Sequence, residues 1–368
     1  MARWRIQWRV LTLMGALLAR AAAAPIDDGV ARLRREIATR MVRKSTGILV
    51  TRTAHGDPLE DTSLYGGFYL GALSLAWGET RDPETAALAR RVLAGLLLNA
   101  SMGKPGFVAR GVAEDRTIFR GEPSADQYTG FLYGLWEFQR SGLATAAETR
   151  QIAEVWQAVL KRLQRDGWQI LTNDRAKVTR YGKLAGIRPT RSERLLSFVL
   201  SGAVVTGERS WWPEYERLRI PRMKSLGPWE RFESWVLIQT AASLRMLCVD
   251  EERPAVLRPY AETSHQIATN CLPQLAGWAA FGNDQRPIPE RLRDRTFALR
   301  AIRIPAEAAT TILLLGDDEQ AKHALPVLRE MLARMPFEQC HDSRPLVALE
   351  WAYWLARRRG LLPANGKR

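Results

Sequence analysis

Apolar side chains recur at a helical period along most of the chain. Ile152, Val155, Trp156, Val159, Leu160 and Leu163 fall at i, i+3, i+4, i+7, i+8 and i+11, the stripe an amphipathic helix turns toward a core. Thr145 and Glu148 stand ahead of it at capping-box spacing. The same periodicity, cut by Gly, Pro, Asn and Asp breakers, predicts helices over roughly 27–44, 58–78, 83–99, 124–141, 146–164, 192–206, 228–248, 254–271, 306–315, 318–335 and 344–358. Shorter helices are expected near 209–219 and 289–299. Strand-like alternation is rare, and residues 168–172 are its best instance.

Two kinds of helix alternate. Residues 64–77 and 128–138 are apolar nearly all round, as buried helices are, whereas 83–99 and 146–164 are amphipathic. Tight connections at 79–82 and 141–144 alternate with long crossovers at 100–122 and 166–191. About twelve helices in this arrangement predict an all-α fold, helical hairpins closed into an (α/α)6 toroid with the apolar helices inside. An internal repeat supports it. Tyr65-x-Gly67-Phe68-x-x-Gly71 returns as Tyr128-x-Gly130-Phe131-x-x-Gly134, 63 residues on. The glycines are explained by close approach of two helix backbones; that explanation leaves the preceding tyrosines unaccounted for.

These hairpins, and above all the segment Glu122-Pro123-Ser124-Ala125-Asp126-Gln127-Tyr128-Thr129-Gly130, resemble the six-hairpin glycosidase-like superfamily. Within it they are nearest to the unsaturated glucuronyl and rhamnogalacturonyl hydrolases. The resemblance covers residues 57–165 in detail and the remainder by helix count. It implies that Asp126, at an inner-helix start, is proton donor and base, and that Asp61, one helix pair earlier, assists. Without the resemblance, each is a carboxylate favoured in the first turn of a helix by the dipole, and Ser124-x-x-Gln127 is a capping box.

Further candidates surround them. Tyr65 and Tyr128 open the two repeat helices. Trp229, Glu230 and Glu233 follow Gly227-Pro228, and the two glutamates stand three apart, on one face if the helix begins there. They are candidates for an opposing carboxylate or a sugar-hydroxyl partner. Thirteen tryptophans, Trp136, Trp211, Trp212 and Trp278 among them, offer platforms for sugar C–H faces or simply a core. Arg120 and Arg188, in the long crossovers, suit uronate carboxylates. His265, with Tyr128, fits the alternative of a uronate polysaccharide lyase. Cys340-His341-Asp342 lacks the second half of a zinc site, so no metal is expected. No Walker loop, dinucleotide Gly motif, H-E-x-x-H or G-x-S-x-G occurs, and no cofactor is expected.

Composition and charge narrow the remaining choices. Hydrophobic residues make up 46% of 368, enough for a large core and against long disorder. Residues 1–24 run from a basic start through a short apolar stretch to Ala21–Ala24, the order of a secretory signal; the apolar part is too short to span a membrane. Residues 25–368 are then one toroid domain, periplasmic or secreted. Net charge is +15; removing residues 1–24 removes four arginines and no acids, leaving +11. Such a surface favours anionic partners, and no motif supports nucleic acid. Three cysteines exclude a disulfide framework. The expected function is an exported carbohydrate-active enzyme, a glycoside hydrolase acting on oligosaccharides, acidic or unsaturated uronyl ones included. A uronate lyase and a non-catalytic ring that binds glycans or an envelope protein are the alternatives.

Overall fold

The computed structural model describes residues 26–54, 57–118, 120–223, 226–227 and 232–363. The expected signal segment lies outside them. Helix α1 covers 26–36 and runs on through a π turn at Ile37–Met41. Then come α2 (Thr62–Thr80), α3 (Pro83–Ser101), α4 (Ala125–Arg140), α5 (Ala146–Arg165), α6 (Ser192–Thr206), α7 (Trp211–Arg222), α8 (Ser234–Asp250) and α9 (Pro254–Cys271). Three short helices follow, α10 (Gly277–Asn283), α11 (Ile288–Arg293) and α12 (Arg295–Ala298). The chain ends with α13 (Ile304–Leu315), α14 (Asp318–Arg334) and α15 (Ser343–Arg358). The strand expected at 168–172 is β1 (Gln169–Leu171), paired antiparallel with β2 (Val178–Lys183) inside the α5–α6 crossover.

Helices α2, α4, α6, α8, α13 and α15 pack each on the next, and α15 returns to α2, so six helices close a ring. They are buried on nearly every side: every residue of Thr62–Ala76 and of Ser343–Arg357 is buried. The amphipathic α3, α5, α7, α9 and α14 cover the ring from outside, and α1 is tied to α15 by Arg34 Nε, 2.6 Å from the buried Glu350. Chain order alternates outer and inner throughout, with α10–α12 inserted between outer α9 and inner α13. This is the (α/α)6 toroid expected from the sequence. No helix among the described residues is long and apolar enough to cross a membrane.

The repeated glycines sit where α2 and α4 touch. A Cβ on Gly67 would lie 1.8 Å from the Gly130 carbonyl oxygen, and one on Gly130 would lie 2.1 Å from that of Leu64. The two tyrosines do different work. Tyr65 donates to Glu307 on α13 at 2.6 Å, whereas Tyr128 donates to the Gly106 carbonyl and accepts from the Val108 amide, both at 3.2 Å. Phe68, Tyr133, Trp136 and Trp351 pack ring on ring at 4.9–6.0 Å and fill the toroid's centre. Of the two readings open to Trp136, sugar platform or core, it is core, and its indole donates to Asp250 at 2.9 Å. Trp211 and Trp278 are buried as well. All three cysteines are free thiols, with Cys271 and Cys340 buried.

One buried acid stands out. Glu193, in the first turn of α6, is wholly inaccessible, and neither carboxyl oxygen has a side-chain hydrogen-bond partner. Burial pushes its pKa up to about 8, against the pull of Arg194 and of its own and the Thr190 amide. Its folded value thus lies above the unfolded one, so the stability it contributes is whole below the ordinary glutamate range and drains away as pH climbs toward 8.

Two predictions follow from this packing. Gly67→Ala should lower stability by about 3 kcal/mol or more, since backbone meets backbone. Gly78→Ala, on the exposed end of α2 with nothing within 4 Å, should leave it unchanged or raise it by up to ~1 kcal/mol; denaturant midpoints of the two variants compare them. Glu193→Gln should flatten the fall in melting temperature between pH 5 and 8 and leave the variant more stable than wild type above about pH 8. Parallel melting–pH curves for the two proteins would refute this.

Candidate functional site

The inner helices all start at one end of the ring, so their first turns and the crossovers that lead into them form one mouth. Asp61 is the N-cap of α2. Its backbone is left-handed, φ 62°, a conformation that aspartate tolerates better than most residues. The α3–α4 crossover is pinned to this helix start: Thr62 and Ser63 hydroxyls donate to the carbonyls of Arg110 and Ala109 at 2.7 and 2.6 Å. That delivers Arg110, whose Nη1 donates to Asp61 Oδ1 at 3.0 Å. Gln127 Nε2 donates to the same oxygen at 2.9 Å, and Arg344 Nη1 stands 3.9 Å from the other. Burial raises the proton affinity of Asp61, a rise that Arg110, Arg344 and Arg303 only partly offset.

Asp126 sits one residue before Gln127 on α4, its side chain about a third exposed. It accepts from Arg194 Nη1 of α6 at 2.5 Å, and Arg194 Nη2 in turn donates to Gln239 on α8 at 2.7 Å. The mouth therefore links α2 to α4 and α15 through Asp61, and α4 to α6 and α8 through Asp126. The expected capping box does not form: Ser124 makes no side-chain cap and its hydroxyl is buried without a partner, because Gln127 is turned toward Asp61.

On the α13–α15 side of Asp61, reached through Arg344, lies a cavity of about 720 Å³ lined by neither Asp61 nor Asp126, within the rough 300–1,000 Å³ of small-molecule sites. Its floor is the start of α13 and α15, with Arg303 and Arg344. One wall is the α11–α12 insertion and the π turn Leu299–Arg303; the other is the segment 338–342 with Arg52 and Ala54. Short backbone pairing brings the second wall together: the Thr53 amide donates to the His341 carbonyl and the Ser343 amide to that of Thr51, each at 3.0 Å. Arg344 forms a two-pronged pair with Asp342, 2.8 and 2.6 Å. Burial alone would raise Asp342, but Arg344 and Arg303 hold it below the usual range. Arg303 donates to Tyr65 Oη at 2.7 Å and to Glu307 at 2.9 Å, so Tyr65 is a buried strut behind the cavity floor. Burial lifts its phenol well above the ordinary value.

The other expected residues scatter. Tyr128 is spent on the crossover backbone, and burial lifts its phenol to about 12. His265 is exposed on outer helix α9, 3.3 Å from Asp317 at the start of α14. It sits in the outer layer and Tyr128 in the inner one, so the pair behind the lyase alternative does not meet. Glu233 is the extended N-cap of α8, exposed, accepting from the Trp235 indole at 2.7 Å. Trp229 and Glu230 lie outside the described residues. Arg120, on the crossover before α4, is more than half exposed and lies 3.4 Å from Asp57 and 3.8 Å from Glu60. Arg188 is exposed on the α5–α6 crossover. The residues the sequence did not single out are Arg52, Arg194, Arg293, Arg295, Arg303 and Arg344. Only Asp342-Ser343-Arg344, an N-cap with an arginine two on, carried a local signal.

No family model matches the sequence, and no curated relative does. Solved structures do. A cellobiose 2-epimerase from Spirochaeta thermophila superposes with TM-score 0.56 at 13% identity, covering 92% of this chain and 98% of its own. A family 76 glycoside hydrolase, a mannosidase from Bacteroides thetaiotaomicron, gives 0.56 at 12%, covering 91% and 99%. An unsaturated glucuronyl hydrolase specific for heparin gives 0.54 at 13%, covering 92% and 97%. Identities this low speak for architecture: the chain has the six-hairpin (α/α)6 toroid fold on which these glycosidases and sugar epimerases are built.

Proposed function

We propose that the chain is an exported carbohydrate-active enzyme, a glycoside hydrolase that works at the mouth formed by the inner-helix starts. The observation that carries this is the Asp61–Gln127–Asp126 arrangement, two carboxylates from neighbouring inner helices opening at the same end as a cavity of saccharide size. Hydrolysis of a glycosidic bond asks one carboxyl to hold a proton for the leaving oxygen and another to act ionised, on water or on the sugar. Asp61 suits the first part: burial raises its proton affinity, and a fifth of its side chain still reaches outward. Asp126, more exposed and oriented by Arg194, suits the second. These roles are the reverse of those that the family resemblance implies. The related folds of glycosidases and of an unsaturated glucuronyl hydrolase support the reaction class; the basic–apolar–small order of residues 1–24 supports export.

Asp126→Asn and Asp61→Asn should each lower hydrolysis of a responsive oligosaccharide by about 10²–10⁴-fold. Asparagine keeps the size of both side chains and tolerates the left-handed backbone at 61. Asp126→Asn should change melting little, and Asp61→Asn somewhat more, through loss of its pair with Arg110. Rates and melting curves on the same preparations decide it: full activity in either variant removes that residue from catalysis. Release of no reducing ends from any of a broad panel of neutral and acidic oligosaccharides would refute the hydrolase itself.

A further inference from the structure

The crossover that carries the chain from α5 into α6 is strongly basic. Between Thr172 and Arg191 it holds six cations, Arg175, Lys177, Arg180, Lys183, Arg188 and Arg191, against one acid, Asp174. Asp174 is turned into its own loop, where it accepts from the Thr172 hydroxyl and the Ala176 amide. Two of the cations are taken, Arg175 by Asp166 and Lys177 by Glu122 of the α3–α4 crossover. Arg180, Lys183, Arg188 and Arg191 make no ion pair among the described residues. The first three of these are exposed and Arg191 is half-buried. A fixed row of unpaired cations attracts anions.

The row is held in place. β2 pairs with β1, Arg222 Nη2 of α7 donates to the Ala185 carbonyl at 2.8 Å, and the Lys177–Glu122 pair ties the hairpin to the neighbouring crossover. The Arg188 carbonyl accepts from the Arg191 amide at 3.2 Å and from the Ser192 amide at 3.1 Å. That closes a turn and keeps the Cα atoms of Arg188 and Arg191 within about 7 Å. Thr190, inside the turn, is left-handed at φ 68°, a costly conformation for a β-branched residue. Ahead of the turn, Tyr181 and Lys183 stand two apart on β2 and share a face. Tyr181 is 56% exposed, with the Arg180 guanidinium 5.1 Å from its ring centre. Behind the turn, Arg191 is three residues from Arg194, which holds Asp126 at 2.5 Å. The row therefore leads from the hairpin to Asp126.

Charge alone fits any polyanion, and the apolar side chains narrow the choice. A bilayer surface needs several large apolar groups together to enter the headgroup layer. Here Tyr181 and Ile187 are exposed but stand six positions apart, with Leu184 between them buried. A single exposed ring among cations suits a sugar C–H face flanked by anionic groups. We propose that the α5–α6 crossover is a docking arm for an acidic polysaccharide chain: Lys183, Arg188 and Arg191 take successive carboxylates or sulfates, Tyr181 takes a sugar face, and the chain runs on to Asp126. The last clause rests on the hydrolase reading; the docking stands without it. Weak contacts along one chain reinforce each other, so affinity rises with chain length and falls with salt.

Titration calorimetry on the full chain tests it with trigalacturonate, decagalacturonate, dextran sulfate and neutral dextran. Decagalacturonate should bind about 10-fold tighter than trigalacturonate, and both acidic polymers tighter than dextran. Which of the carboxylated and sulfated chains binds tighter identifies the anion. Lys183→Gln, Arg188→Gln and Arg191→Gln together should remove the length advantage and flatten the salt dependence. Should that variant melt early, Lys183→Gln with Arg188→Gln, both exposed, carries the same test. Arg150→Gln with Arg209→Gln, exposed at the far end of the ring, should bind as wild type does. Equal affinity for short and long acidic chains, or unchanged binding in the charge variants, overturns the arm. So does tighter binding of phosphatidylglycerol vesicles or oligothymidylate than of either acidic glycan. Turnover separates the two ideas: long-chain binding without release of reducing ends sinks only the hydrolase, and hydrolysis with no preference for long acidic chains sinks only the arm.

Discussion

Helices α2 and α4 meet backbone to backbone, and the geometry of the ring follows from that contact. With Gly67 against Gly130 the two axes lie as near as helices can. Phe68 of α2 and Tyr133 of α4 pack edge-on against each other and both against Trp351 of α15 at the toroid's centre. The centre is thereby plugged by aromatic rings, and the hollow of saccharide size lies at the mouth. Because α2 and α4 run the same way, their first turns are neighbours, and Asp61 comes within reach of Gln127, the residue after Asp126.

Asp61 then acts as the hub of that mouth. Its carboxylate gathers Gln127 from α4, Arg110 from a crossover and, more loosely, Arg344 from α15. Removing it would leave two guanidiniums facing each other across a partly desolvated gap, a costlier state than the loss of one surface ion pair. The same carboxylate connects the sector that carries Asp126 with the sector that carries the arginine-lined cavity.

Helical period and breakers placed nearly every helix within a few residues, because inner and outer helices carry opposite patterns that nothing else in the chain imitates. The Thr145–Glu148 capping box formed as its spacing implies, with contacts of 2.7 and 3.2 Å. The Ser124–Gln127 box, equally good by spacing, did not, since Gln127 found a buried carboxylate 66 positions away. Local rules hold where solvent is the only competitor and fail where a tertiary partner outbids the cap. Glu233 shows the limit in another way: Gly227-Pro228 marked a break, but the helix begins only at Ser234. Most of the cavity's arginines escaped notice for a plain reason. Residues 52, 293, 295, 303 and 344 share no motif and no helix face, and only ring closure and the insertion put them side by side. For the tryptophans both readings stood open, since abundance says nothing of whether an indole faces sugar or core.

The buried thiols have a consequence for the chain's chemistry outside catalysis. Burial raises Cys271 far above the ordinary thiol range and Cys340 to about 12, and it raises Cys248 as well. Oxidants and electrophiles attack the thiolate, which at neutral pH is then nearly absent at all three positions. The fold thus asks nothing of its redox surroundings: neither a reductant to keep its cysteines apart nor an oxidase to join them. Peroxide would meet a protein whose thiols are chemically quiet until the ring itself opens.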